Sequence, residues 1–97
     1  MKKISIIGAG TMGNGIAQVF AMNNYHVNLI DLNSNSLSRG INSIMTNLDR
    51  MIKRDIISSD QKRATLDNII TTMEINSAES SDLVIEAVTE NIEIKLK

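Results

Sequence analysis

Residues 3–31, KISIIGAGTMGNGIAQVFAMNNYHVNLID, decide the fold expected of this chain. Lys3–Ile7 predicts a short apolar strand, and Thr11–Met22 has apolar residues at helical spacing. The loop G-A-G-T-M-G lies between them, and a second apolar strand ends at Asp31. A strand, a G-x-G-x-x-G loop, a helix, and an acid about 20 residues further on make up the dinucleotide-binding pattern, which is more specific than the glycines alone.

Each part of this pattern has a physical role. Gly8 lets the chain turn out of the strand, Gly10 lets the backbone approach a pyrophosphate, and Gly13 lets the helix pack closely on the sheet. Asp31 is expected to accept hydrogen bonds from ribose hydroxyls. Its charge would repel a 2′-phosphate, and the first arginine after it is Arg39, so the pattern favours NAD over NADP. The alternative, a glycine-rich turn in another α/β protein, does not explain the order of elements or the acid.

Composition excludes several classes of protein. The 97 residues have a formal net charge of −1 and 2% aromatic residues, which argues against nucleic-acid binding. The chain has no cysteine, so neither disulfides nor thiolate chemistry is expected, and no metal site is predicted. No apolar run reaches the length of a membrane span, and the glycines interrupt the first strand too soon for a signal peptide. The default expectation is a cytoplasmic protein that binds neither nucleic acid nor membrane.

The rest of the chain predicts a parallel sheet with a pair of helices inserted between its second and third strands. The predicted elements are a strand over Val27–Ile30, a long amphipathic helix from 34 to about Arg54, a short helix capped by Ser59 and Asp60 and ending near Asp67, strands over Ile69–Ile75 and Leu83–Val88, and the start of a helix at Asn91. Gly40 is expected to weaken the long helix modestly. An ordinary crossover needs one helix, and nearly forty residues with two helices are therefore an insertion.

Basic residues gather near the tip of this insertion. They are Arg50, Lys53, Arg54, Lys62 and Arg63. Two interpretations stay open: a solvated helical face, which is the ordinary role of such residues, and a landing site for an anionic substrate tail.

The chain is short for a complete dinucleotide-binding domain, which has two strand-helix-strand halves. We therefore expect residues 1–97 to be the truncated N-terminal portion of a Rossmann-type NAD-binding domain. The rest of that domain and a C-terminal domain would be absent. The fourth strand would then expose an apolar edge.

The chain resembles the N-terminal part of the 3-hydroxyacyl-CoA dehydrogenases, and in particular the bacterial 3-hydroxybutyryl-CoA dehydrogenases. The residues that carry the resemblance are the GAGTMGNGIAQVFA run, Asp31, Leu48–Arg50 and the DLVIEAVTEN run at Asp82–Asn91. The resemblance implies NAD as cofactor and an acyl-CoA substrate. It also implies hydride transfer between (3S)-3-hydroxyacyl-CoA and 3-oxoacyl-CoA in fatty-acid or butanoate metabolism, by a full-length homo-oligomer.

The resemblance also assigns cofactor-binding roles to single residues. The pyrophosphate would bind to the loop residues Gly8, Gly10, Thr11, Met12 and Gly13, and the adenosine ribose would bind to Asp31. Ala87 would lie against the nucleotide, and Glu90 and Lys95 would lie near the nicotinamide-side ribose. Without the resemblance, Glu90 and Lys95 would be interpreted as an exposed acid and a solvated lysine. Glu86, within an apolar run, is either a strand residue turned toward a polar partner or part of the site, and the first interpretation is favoured.

No catalytic residue is predicted in this chain. The family uses a histidine paired with a glutamate, assisted by a serine and an asparagine, and all four lie downstream of the matched region. The only histidine here, His26, opens the second strand, so the chain alone is expected to be inactive. Two alternatives stay open: the NAD-binding part of another hydroxyacid dehydrogenase, and a nucleotide-binding module without catalysis.

Overall fold

The computed structural model describes residues 2–87 and 92–96. In chain order the elements are β1 (Lys3–Ile7), α1 (Thr11–Met22), β2 (His26–Ile30), α2 (Ser34–Lys53), α3 (Ser59–Asp67), β3 (Ile69–Thr72), a 3-10 helix (Ile75–Ser80), β4 (Leu83–Glu86) and β5 (Glu93–Leu96). The strands form one sheet in the order β3-β2-β1-β4-β5. The first four are parallel, which confirms the predicted α/β, Rossmann-type sheet with α2 and α3 inserted between its second and third strands.

The main core lies between one face of the sheet and the helices. It is built from alternate strand residues and the apolar stripes of α1 and α2: Ile4, Ile6, Val27, Leu29, Ile85, Ala17, Ala21, Leu37, Ile44 and Leu48. A smaller cluster on the opposite face joins Ile30 and Val84 to Ala78 of the 3-10 helix. In α1 the buried residues are small, among them Ala17 and Ala21, whereas Val19 is 60% exposed.

The structure corrects the prediction for the end of the chain. A helix was expected from Asn91, and an apolar edge was expected along β4. Instead β5 pairs antiparallel with β4, so that Ile94 lies opposite Ile85. The stretch I-E-I-K-L over 92–96 alternates apolar and charged residues with the period of a strand, and the free edge of β4 offers backbone groups for it to pair with. The sheet is therefore mostly, not wholly, parallel; Asn91 lies outside the described residues.

Two further boundaries differ from the prediction. The cap of α3 is Ser58, not the predicted Ser59 and Asp60: its hydroxyl accepts the N–H of Gln61, whose side chain accepts the N–H of Ser58. The third strand ends at Thr72 because the backbone from Ile75 turns into the 3-10 helix. Within residues 2–87 and 92–96, no helix is long and apolar enough to cross a bilayer.

Candidate cofactor-binding site

The glycine loop lies at the carboxyl end of β1 and is held against β2. Gly8 has a φ of 107°, a conformation that favours glycine, and its N–H donates to the carbonyl oxygen of Ile30 at 2.7 Å. A side chain at Gly13 would overlap the carbonyl oxygen of Gly8, so the start of α1 can lie against the end of β1 only with a glycine there. Gly10 is exposed, and a Cβ added to it would meet no atom within 4 Å. The space above Gly10 is therefore open.

The amino end of α1 has no side-chain cap. Its N-cap residue is Gly10, and within the described part of the chain the N–H groups of Thr11, Met12 and Gly13 have no protein partner. The other two α-helices are capped, α2 by the side chain of Asn33 and α3 by the capping box described above. Free N–H donors and the positive end of the helix dipole form a ready site for a phosphate group.

Asp31 ties the glycine loop to the end of β2. One carboxylate oxygen accepts the N–H of Ala9 at 3.0 Å, and the other accepts the N–H of Asn33 at 2.9 Å. The N–H of Asp31 donates to the carbonyl oxygen of Thr72 on β3. The carboxylate is half-buried, and each oxygen keeps a second lone pair for a hydroxyl donor. The bond to Ala9 was not predicted, whereas the D-x-N spacing is typical of the Asx turn that Asp31 makes with Asn33.

An apolar cleft of about 200 Å³ opens beside this carboxylate. Its lining residues are Ile7, Gly8, Ile30, Asp31, Leu32 and Ile75. Leu32 and Ile75 are 67% and 46% exposed, respectively, so two large apolar residues of the cleft are open to solvent. A flat, weakly polar ring would cover them, and a sugar attached to that ring would lie near Asp31.

The residues expected at the nicotinamide end are only partly brought to this site. Ala87 is buried. Its N–H donates at 2.7 Å to the carbonyl oxygen of Ile7, the residue before the glycine loop, so Ala87 lies beside that loop. Lys95 lies on β5 and makes an ion pair with Glu86 at 3.0 Å, and this carboxylate raises the pKa of the Lys95 ammonium. Glu86 therefore has the polar partner predicted for it, while Glu90 lies outside the described residues.

His26 lies far from the loop. It is an exposed residue at the first position of β2, whose last residue adjoins Gly8. Four residues of strand at about 3.3 Å each put it roughly 13 Å from the end of β2 that holds the loop. The described chain thus places no histidine at the candidate site.

Gly40 brings α2 into contact with the glycine loop. A Cβ added to Gly40 would lie 2.9 Å from the carbonyl oxygen of Ala9 and 3.5 Å from the Cβ atoms of Ala9 and Asn14. The sequence predicted only that Gly40 weakens the helix. Its partner Ala9 is 31 residues earlier, and no local pattern indicates the contact.

The basic residues of the insertion occupy different environments. Lys62 of α3 makes an ion pair with Asp49 of α2 at 2.6 Å. The other basic residues at the end of α2 are exposed: Arg50, Lys53 and Arg54. Arg50 also lines an open surface groove of about 290 Å³ whose other lining residues are polar and uncharged: Asn42, Ser43, Thr46 and Asn47.

Comparison with known proteins identifies the family. The family model described as "3-hydroxyacyl-CoA dehydrogenase, NAD binding domain" matches residues 3–97 of this chain. A 3-hydroxybutyryl-CoA dehydrogenase of Bradyrhizobium diazoefficiens is 36% identical over 97 residues, which are all of this chain and 33% of the relative. The 3-hydroxyadipyl-CoA dehydrogenase of Escherichia coli is 35% identical over 98% of this chain and 20% of its own length.

A solved structure agrees with the sequence matches. The (S)-3-hydroxybutyryl-CoA dehydrogenase of Ralstonia eutropha superposes with a TM-score of 0.89 at 35% identity, over 94% of this chain and 32% of that one. The chain thus spans a third or less of the length of these relatives. It belongs to the 3-hydroxyacyl-CoA dehydrogenase family and matches that family's NAD-binding domain.

Proposed function

We propose that residues 1–97 are the N-terminal portion of the NAD-binding domain of a dehydrogenase. The longer enzyme would interconvert (3S)-3-hydroxyacyl-CoA and 3-oxoacyl-CoA by hydride transfer, with 3-hydroxybutyryl-CoA as the substrate. The observation that carries the proposal is the uncapped amino end of α1, because α2 and α3 both have side-chain caps. A helix start that lacks a cap, beside an open space above Gly10, suits the pyrophosphate of NAD.

The residues present fit the rest of the cofactor. The N–H groups of Thr11, Met12 and Gly13 would bind the pyrophosphate, and Asp31 would accept the hydroxyl groups of the adenosine ribose. The adenine would lie in the apolar cleft between Leu32 and Ile75, and the nicotinamide end would run toward Ala87. Glu90 and Lys95 keep their predicted roles near the nicotinamide-side ribose as part of this proposal.

In this proposal the chain's own residues bind and orient, and they do not transfer protons. Bound NAD supplies the hydride acceptor of the reaction. Hydride transfer also needs an acid or base at the carbinol oxygen, and His26 lies at the opposite end of β2. We therefore assign the acid-base group to the part of the longer enzyme that this chain does not include.

We propose that the coenzyme A part of the acyl-CoA substrate binds on α2, at Arg50. Arg50 shares its polar groove with Asn47, whose side chain donates to Gln18 of α1 at 3.3 Å. The hydroxyl and amide groups of the groove can hydrogen-bond the hydroxyls of coenzyme A, and the guanidinium of Arg50 can bind its phosphates. Arg50→Ala is expected to weaken CoA binding without affecting NADH binding, and Lys53→Ala is the matched control on the same turn.

NADH titration of the 97-residue chain tests the proposal. The chain has no tryptophan, so NADH fluorescence can be followed directly. Gly10→Val fills the open space above the loop and is expected to weaken binding by about 100-fold or more, or about 2.7 kcal/mol. Gly15→Ala is the matched control: this glycine lies in α1, an added Cβ meets nothing within 4 Å, and binding should be unchanged. Equal affinity of Gly10→Val and the parent would refute the assignment of the loop.

A further inference from the structure

We propose that Gly40 of α2 is a positioning residue for the phosphate loop. This inference deepens the proposed function, on which it rests, because it concerns a residue outside the glycine pattern that acts on the same site. Gly40 is buried, and the carbonyl oxygen of Ala9 occupies the space that a side chain would need, at 2.9 Å from the ideal Cβ. Separations below 3.0 Å to a backbone atom cannot be relieved by turning a side chain, so one of the two segments must move.

Of the two segments, α2 is less able to move than the glycine loop. Leu37 and Ile44 lie about one turn before and after Gly40, and both are buried in the main core at 8% and 0% exposure. Leu48 continues the same buried stripe. Moving α2 away from the loop would pull these side chains out of a close-packed core, which protein interiors resist.

The glycine loop is therefore the segment that would yield. Its Ala9 residue is 2% exposed and lies between Gly40 on one side and Asp31, which accepts its N–H at 3.0 Å, on the other. Displacement of the Ala9 carbonyl tilts the peptide that leads into Gly10, the N-cap of α1. The N–H donors of the first turn and the Asp31 carboxylate would then lose their common alignment, and the pyrophosphate would be affected most.

The test compares ligands with and without phosphates on Gly40→Ala. Binding of ADP and NADH should weaken by about tenfold or more, the scale of one lost hydrogen bond to a charged phosphate, while adenosine binding should change much less. Ser38→Ala is the matched control, because Ser38 is an exposed residue of the same helix, outside the proposed sites, and should leave all three affinities unchanged. Alanine favours a helix more than glycine does, so the variant should fold.

The outcomes separate this inference from the proposed function. Parent-like affinity of Gly40→Ala for ADP would overturn the positioning role, as would a proportional loss of ADP and adenosine, or a variant that no longer folds. Failure of the parent chain to bind NADH, or full binding by Gly10→Val, would instead overturn the proposed site itself.

Discussion

Replacement of Asp31 by alanine should lower cofactor affinity by a defined amount. Its carboxylate would supply a charged acceptor for the ribose hydroxyls, and hydrogen bonds to charged groups contribute about 1.5–3 kcal/mol. One of the two lone-pair directions on each oxygen already serves Ala9 or Asn33, so about 1–3 kcal/mol is expected for the cofactor. This corresponds to a loss of NADH affinity of about 5- to 150-fold.

The same substitution should also lower stability. The N–H of Ala9, a residue that is 2% exposed, would lose its partner, and leaving such a group unpaired costs about 1–3 kcal/mol. A control must therefore lose a similar bond elsewhere. Asp82 provides it: its carboxylate accepts the N–H of Lys3 at 2.9 Å, at the amino end of β1 and away from the loop.

NADH titration and thermal unfolding of the two variants separate the effects. Asp31→Ala should lose both affinity and stability. Asp82→Ala should lose stability and keep the affinity of the parent at temperatures where both are folded. The assignment of Asp31 to the ribose would be refuted if both variants bound NADH as the parent does, or if both lost affinity alike.

Four other outcomes are expected. Combining Asp31→Ser with Leu32→Arg should shift preference from NADH toward NADPH, because a cation replaces the anion beside the 2′ position; an unchanged ratio of the two dissociation constants would contradict this. Gly13→Ala should lower the unfolding temperature, because its methyl group overlaps the Gly8 carbonyl, and a parent-like melting curve would disprove the contact. The purified chain should not oxidise NADH with acetoacetyl-CoA, and turnover would show that an acid-base group is present after all. The Glu86–Lys95 pair raises the pKa of Lys95, so its contribution to stability should persist below the usual lysine pKa and vanish as pH rises through the raised value. The melting temperatures of the parent and Lys95→Met should therefore converge at strongly alkaline pH, and a difference independent of pH would exclude the ion pair.

Local signals made the first part of the fold predictable. The bounds of β1 and α1 agree with the prediction, because a glycine loop separates an apolar strand from a periodic helix and Asn23 follows the last apolar residue. The long helix was recognisable from its apolar stripe, which Ile44 and Leu48 place in the core. Each of these features depends on residues that are close to one another in the sequence.

Features that depend on distant partners were not predictable. Glu, Lys and Leu are good helix formers, so residues 93–96 combine a helical propensity with the strand-like alternation of 92–96, and pairing with β4 selects the strand. The Ser58 cap, by contrast, has a local signal that the prediction missed: Ser58 and Gln61 have the S-x-x-Q spacing of a capping box. For the candidate site, the glycines and Asp31 were recognisable, whereas the bond from Ala9 to Asp31 joins residues 22 apart.

The proposed CoA site and the proposed phosphate site lie along a single helix, α2. A helix of 20 residues is about 30 Å long, and its buried stripe fixes it as one rigid element on the sheet. Near its first turns Gly40 lies against the glycine loop, and Arg50 lies near its last turn, on the polar groove. A change in the tilt of α2 would therefore move the proposed CoA site and the proposed phosphate site together. The absence of a side chain at Gly40 sets the distance at which the helix meets the loop, and we expect substitutions there to alter NADH binding more than substitutions at any exposed position of the same helix.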